Sequence, residues 1–193
     1  MSINRIERNK QRIRIALIEA SYQLIMEKGY DAVKVTDIAD RADYGRSTFY
    51  VYFKDKEDIV WHMLKHFMTT LDQQIIDSVS HLQSPQREWV AWQMIFQQVD
   101  MQRDFFKQIE GELSRRLRQV QRDTLLETFE RQLKDGTYSL LLDDVPPELS
   151  TRFIVGAQLE ILEYWLDHPE LGNAETIARY FYKLVFREDP PTL

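Results

Sequence analysis

Apolar positions recur every three or four residues along almost the whole chain. Ile13, Leu17, Ala20 and Leu24 fall at i, i+4, i+7 and i+11, one face of a first helix. Gly29 stops that helix, with Lys28 in its last turn. Val35, Ile38, Ala39 and Ala42 give i, i+3, i+4, i+7 over a short second helix. Asp43-Tyr44-Gly45 reads as a turn, and a third short helix runs through residues 47–52. A long helix begins near Asp55 and turns Ile59, Met63, Phe67 and Leu71 inward. Ser84-Pro85, a hydroxyl cap followed by proline at the first helical position, opens a helix carrying Trp89, Trp92 and Phe96. Phe105, Phe106 and Ile109 follow, then Gly111. Leu113, Leu117 and Val120 mark another helix, ended by Asp135-Gly136. Pro146-Pro147-Glu148 opens the next, with Phe153, Ala157, Ile161 and Trp165, and Pro169 closes it. Asn173 caps the last, which holds Ile177, Phe181 and Leu184 ahead of a tail at Asp189-Pro190-Pro191. The pattern holds no repeat and no convincing strand.

One stretch resists this reading. Residues 49–53 spell Phe-Tyr-Val-Tyr-Phe, a strand signature by propensity. A lone strand would have no partner in an otherwise helical chain. As a helix the same stretch is amphipathic: Phe49 and Phe53 share one face at i, i+4, and Tyr50 and Tyr52 project off it. The fold class expected is therefore all-α.

Composition adds limits. The 193 residues include no cysteine, which excludes a disulfide scaffold and thiolate metal sites and fits a cytoplasmic protein. No apolar leader and no run of about 18 apolar residues is present, so neither secretion nor a membrane span is expected. Net charge is -6 but uneven: residues 1–60 hold 11 Lys+Arg against 10 Asp+Glu, and the rest hold 14 against 21. Arg5, Arg8, Lys10, Arg12 and Arg14 face Glu7 alone over the first 14 residues. A basic arm ahead of an acidic body suits a nucleic-acid-facing end; a solvated helix start is the plainer alternative.

Two short helices joined by a tight turn containing glycine make a helix-turn-helix, whose second helix can enter a major groove. Its leading residues here are Arg46, Ser47 and Thr48. Arginine can bond guanine bidentately, and small hydroxyls fit beside base or phosphate. The phenols of Tyr50 and Tyr52 can reach phosphates, while Lys54 and Lys56 bring charge to the start of the long helix. Residues 11–60, through "EKGYDAVKV", "TDIADRA", "DYGRS" and "TFYVYFKDKEDIV", resemble the DNA-binding domain of TetR-family transcriptional repressors. The resemblance implies DNA contacts at Thr36, Arg46, Ser47, Thr48, Tyr50, Tyr52 and Lys56. Two positions depart from the family pattern: Asp43 stands where the turn usually has glycine, and Lys34 where the cap before Val35 is usually a hydroxyl.

The implied organisation is a DNA-binding domain over residues 1–56 and a helical ligand-binding and dimerisation domain over 57–193. In the family's layout the last two helices, here 147–168 and 174–187, pair with their copies in a second subunit. Both are apolar on more than one side, as a helix with two partners must be. The expected protein is a cytoplasmic repressor, binding a palindromic operator as a homodimer and released by a small hydrophobic or aromatic effector. Aromatic side chains that could line an effector pocket or fill plain core are Trp61, Phe67, Trp89, Trp92, Phe96, Phe105, Phe106, Tyr138, Tyr164 and Trp165. The long helix, roughly 55–80, would act as the lever between effector and DNA. Asp58, His62 and His66 share a helix face but lack a further ligand from another helix, so no metal is expected. No cofactor is expected either. The alternatives are an all-helical enzyme, for which no catalytic signature is present, and a partner-binding helical protein without DNA function.

Overall fold

A computed structural model describes residues 5–109, 111–134 and 145–192. Among them the regular structure is helical: α1 (Arg5–Lys28), α2 (Val35–Arg41), α3 (Arg46–Tyr52), α4 (Lys56–Val79), α5 (Gln86–Met101), α6 (Arg103–Lys107), α7 (Gly111–Lys134), α8 (Pro147–Asp167) and α9 (Ala174–Phe186), with a 3-10 turn at Pro169–Leu171. The Phe-Tyr-Val-Tyr-Phe stretch is helix as far as Tyr52, and Phe53 is its extended C-cap. The expected stop at Asp135-Gly136, and Tyr138, lie outside the described residues.

Contacts divide the chain into two compact units, Met1–Thr69 with Asp104–Ser114, and Thr70–Arg103 with Arg115–Leu193. The first unit is built around Leu17, Leu24 and Ile25 of α1, Ile38 of α2, Phe49 and Phe53, and Ile59, Val60 and Leu64 of α4, all buried. Phe105, Ile109 and Leu113 complete it. Phe105 stacks on Tyr22 of α1 at 5.2 Å between ring centroids, and the Tyr30 N–H donates to the Gln108 carbonyl at 3.1 Å. On α4 the buried stripe is one residue off the expected one beyond Ile59: Met63, Phe67 and Leu71 are half-buried, and Val60 and Leu64 take the core positions.

The second unit packs α5 against α9 and α8. Trp92 meets Phe181 at 4.7 Å, and Phe96 meets both Trp165 and Phe181. Ser84 does not cap α5; the N-cap is Pro85, with no side-chain hydrogen bond. Asn173 does cap α9, its Oδ1 accepting the Thr176 N–H at 2.9 Å. The carboxyl end of α8 is closed from outside the helix. Arg103 donates through Nη1 to the carbonyls of Trp165 and Leu166, both at 3.0 Å, and through Nε to Asp100 at 3.0 Å. Its guanidinium lies 4.3 Å from the Trp165 ring centroid, so one side chain binds two carbonyls of the last turn and adds a cation–π contact.

Candidate nucleic-acid interface

The site is shaped by how α1, α2 and α3 are locked together. Arg41 of α2 reaches α1 and grips Glu27 with two nitrogens, at 2.9 and 2.7 Å. Lys28 at the end of α1 pairs with Asp37 of α2. The Arg41 hydrogen bond holds the Glu27 carboxyl below its ordinary pKa, and the Lys28 contact, then the Lys34 backbone N–H, does the same for Asp37. Lys34 has no side-chain acceptor to cap α2, and the reciprocal half of a capping box is what forms: the Asp37 carboxylate accepts the Lys34 N–H at 3.1 Å. At the turn, Asp43 adopts the left-handed conformation, φ 59, which aspartate tolerates better than most residues.

These anchors fix α3 by its phenylalanine face. Phe49 and Phe53 are buried against each other at 5.7 Å. Every other α3 side chain is turned partly or fully outward. Arg46, Ser47, Tyr50 and Val51 are exposed; Thr48 and Tyr52 are half-buried on the flanks. Val51, 76% exposed, was not among the residues singled out from the sequence. It follows Ser47 by one turn and so sits at the centre of the outward face, diametrically away from Phe49 and Phe53. Its signal in the sequence was available: an apolar residue at the one α3 position that faces neither phenylalanine. Thr36 is exposed at the start of α2.

Lys56, at the start of α4, is engaged within the chain. Its Nζ donates to the backbone carbonyls of Tyr30 at 2.9 Å and Asp31 at 3.2 Å, and lies 4.2 Å from the Tyr30 ring centroid. It ties the start of α4 to the loop after α1. Lys54, in contrast, is exposed. Asp55 and Asp58 cap α4: Asp55 accepts the Asp58 N–H at 2.8 Å, and Asp58 accepts the Lys54 N–H at 2.9 Å. His62 contacts the Asp58 carbonyl at 2.8 Å and packs edge-on against Phe53. The Asp58 carboxylate is thus occupied in closing a helix. Among the described residues no three His, Cys, Asp or Glu side chains converge on a metal position.

Among the described residues the architecture is all-helical, with an amino-terminal helix-turn-helix formed by α2 and α3. Residues 17–63, spanning α1 to the second turn of α4, match the model of a family described as bacterial regulatory proteins, tetR family. The HTH-type transcriptional repressor DhaR of Mycobacterium sp. (strain GP1) is 29% identical over 155 residues, 75% of this chain and 78% of that protein. A TetR-family transcriptional regulator of Syntrophomonas wolfei superposes with a TM-score of 0.67 at 23% identity, covering 92% of this chain and 94% of that one. The regulator FadR of Bacillus subtilis, solved in complex with stearoyl-CoA, superposes with a TM-score of 0.63 at 18% identity, covering 89% and 96%. The first curated relatives, HTH-type regulators of Bacillus subtilis, are matched over 29%, 23% and 30% of their own length. Over residues 17–63 the chain is thus similar to the tetR family of bacterial regulatory proteins. These relatives are transcriptional regulators, not enzymes. No helix among the described residues is long and apolar enough to cross a membrane.

Proposed function

We propose that the protein is a repressor that binds a palindromic DNA operator as a homodimer and is released by a small hydrophobic or aromatic effector. The observation that carries this is α3: its phenylalanines are buried, its hydroxyls, arginine and valine face outward, and a basic arm precedes it on α1. Arg46 and Ser47 read base edges. Thr36, Thr48, Tyr52 and Lys54 address phosphates, and Val51 offers its methyls to a thymine methyl. Lys56 acts on the backbone mainly by holding the loop at Tyr30 and Asp31. The domain that performs this covers residues 1–56, and 57–193 holds the effector and the second subunit.

The reading of the effector is supported by the FadR structure, which holds stearoyl-CoA on a similar fold. Within this chain Trp89, Trp92, Phe96, Phe105 and Trp165 are buried core, so an effector would meet other side chains. Two measurements test the proposal. A genome-wide selection for bound duplexes at low salt is expected to return a two-fold-symmetric sequence with half-sites about 10 base pairs, or a multiple, apart; selection of no sequence overturns DNA recognition. Acyl-CoA thioesters and aromatic compounds are then titrated with and without that DNA. Reciprocal weakening by about 5–150-fold is expected for a true effector, and ligands indifferent to DNA overturn effector control.

A further inference from the structure

On the exposed face of α3, Arg46 is not a free side chain. Its Nη2 donates to the Tyr50 hydroxyl at 3.2 Å, and its guanidinium carbon lies 5.4 Å from the Tyr50 ring centroid. Tyr50 is in turn held from below. Its ring meets the fully buried Phe49 edge-on, 5.5 Å between centroids and 88° between planes. The core, Phe49, Tyr50 and Arg46 thus form one stack leading from the interior to the outward surface. We infer that Tyr50 is a positioning residue that presents Arg46 to a guanine, and that it serves base selectivity rather than phosphate binding. This rests on the DNA reading above and deepens it.

The physical grounds are entropy and geometry. A solvent-exposed arginine loses much rotamer freedom when it is fixed against a base. One that already leans on a phenol ring loses less, and the difference appears as selectivity, because only the correct base engages both prongs of the fork. The bond to Tyr50 uses a single N–H of the guanidinium and leaves the rest of the fork free to pair with guanine. The Tyr50 hydroxyl accepts in this contact and keeps its own O–H as a donor, so its role is decided by the base and salt dependence of its variants. A tyrosine acting as an independent phosphate ligand has no need of an arginine one helical turn before it.

The test uses the full-length chain and the selected operator. Affinities are measured for wild type, Arg46→Ala, Tyr50→Phe, Tyr50→Ala and the Arg46→Ala/Tyr50→Ala double variant. The targets are the operator, its single-base variants and random DNA, over a range of salt. Arg46→Ala is expected to relax preference at one base pair per half-site, by about 5–150-fold. Tyr50→Ala should relax the same base pair, Tyr50→Phe should do so partly, and the double variant should lose no more discrimination than Arg46→Ala alone. Binding to random DNA and the salt slope should stay near wild type. Equal weakening on operator and random DNA by Tyr50→Phe, or additive losses in the double variant, would make Tyr50 a phosphate ligand and overturn the inference. An independent readout needs no DNA: relaxation of the Arg46 Nε–H group should show greater mobility in Tyr50→Phe than in wild type. Equal mobility overturns pre-organisation even if the operator is found. A wild-type protein that selects no sequence overturns the underlying DNA reading, whatever the mobility shows.

Discussion

At the scale of single residues, two lysines two positions apart do different work. Lys56 spends its ammonium on two backbone carbonyls and a tyrosine ring, whereas Lys54 is exposed. Lys56→Ala should therefore destabilise the fold by about 1–3 kcal/mol, since it strips charged hydrogen bonds from the part-buried Tyr30 carbonyl and the exposed Asp31 carbonyl. Lys54→Ala should leave the melting temperature unchanged and lower the salt slope of DNA binding by roughly one unit. Thermal melts and salt titrations of both variants separate the roles; a Lys56→Ala protein as stable as wild type would show the tie to be weak. Tyr182 makes a second residue-level case. It is fully buried on α9, and its hydroxyl has no hydrogen-bond partner. Burial, then the Glu188 and Glu88 carboxylates, raises its phenol above the ordinary pKa. The folded state therefore holds the Tyr182 proton more tightly than the unfolded chain does. The resulting stability is full below pH ~10 and is lost as pH rises from there through the folded value. Tyr182→Phe should remove that alkaline loss and leave neutral stability equal or slightly higher, as seen by denaturant melts at pH 8 and pH 11.

At the scale of elements, the α1–α2 junction rests on the Arg41–Glu27 and Lys28–Asp37 pairs. Both carboxyls have folded pKa values below their unfolded ones. Their contribution is present above the usual carboxylate range and is lost as pH falls through the lowered folded values. Hydrogen exchange in α2 should thus accelerate at acidic pH before exchange in α5 or α9 does, and Glu27→Gln should blunt that effect. The carboxyl end of α8 depends instead on Arg103, and Arg103→Lys should not rescue what Arg103→Ala loses, because an ammonium cannot span two carbonyls and a carboxylate in one plane. These two junctions also mark where the sequence was and was not readable. The helices themselves were legible, since a 3.6-residue period appears in any one segment: Leu17, Leu24, Ile38, Phe49 and Ile177 sit where that period puts them. Local caps were legible where the chemistry was unambiguous, as at Asn173, and misread at Ser84, where proline took the capping position. Arg103 could not be assigned to α8, because its partners lie 62 and 63 residues away and no periodicity records such a distance. The contacts Lys56 makes within the chain were hidden for the same reason, its carbonyl partners being 26 and 25 residues earlier.

At the scale of the whole molecule, apolar surface left uncovered says what the protomer still needs. Leu149, Phe153 and Tyr164 of α8 and Tyr180 and Leu184 of α9 are all more than half exposed. Leu149, Phe153 and Tyr164 recur near i, i+4 and i+15, with Gly156 and Ala157 between them, so they form a single stripe with a flat middle. Tyr180 and Leu184 are one turn apart on α9. The opposite faces of both helices, Ile154, Val155, Leu162, Ile177, Ala178 and Phe181, are buried within the protomer. In the proposed homodimer this apolar stripe is the surface that a second copy covers. In a two-fold interface each substitution counts twice, so one aspartate in the seam brings two unpaired carboxylates out of water. The choice of residue decides what is learned. Phe181 would be the wrong site: it is fully buried and 4.7 Å from Trp92 between ring centroids, so a charge there would unfold the protomer. Phe153 and Leu184, 62% and 66% exposed, can carry a charge without disturbing the core. Phe153→Asp and Leu184→Asp are each expected to keep the wild-type helical circular dichroism and to sediment as monomers at micromolar concentration. Their operator affinity should fall toward that of random DNA, because one recognition helix reads only half of a palindrome. Sedimentation of both variants as dimers would move the subunit contact away from α8 and α9.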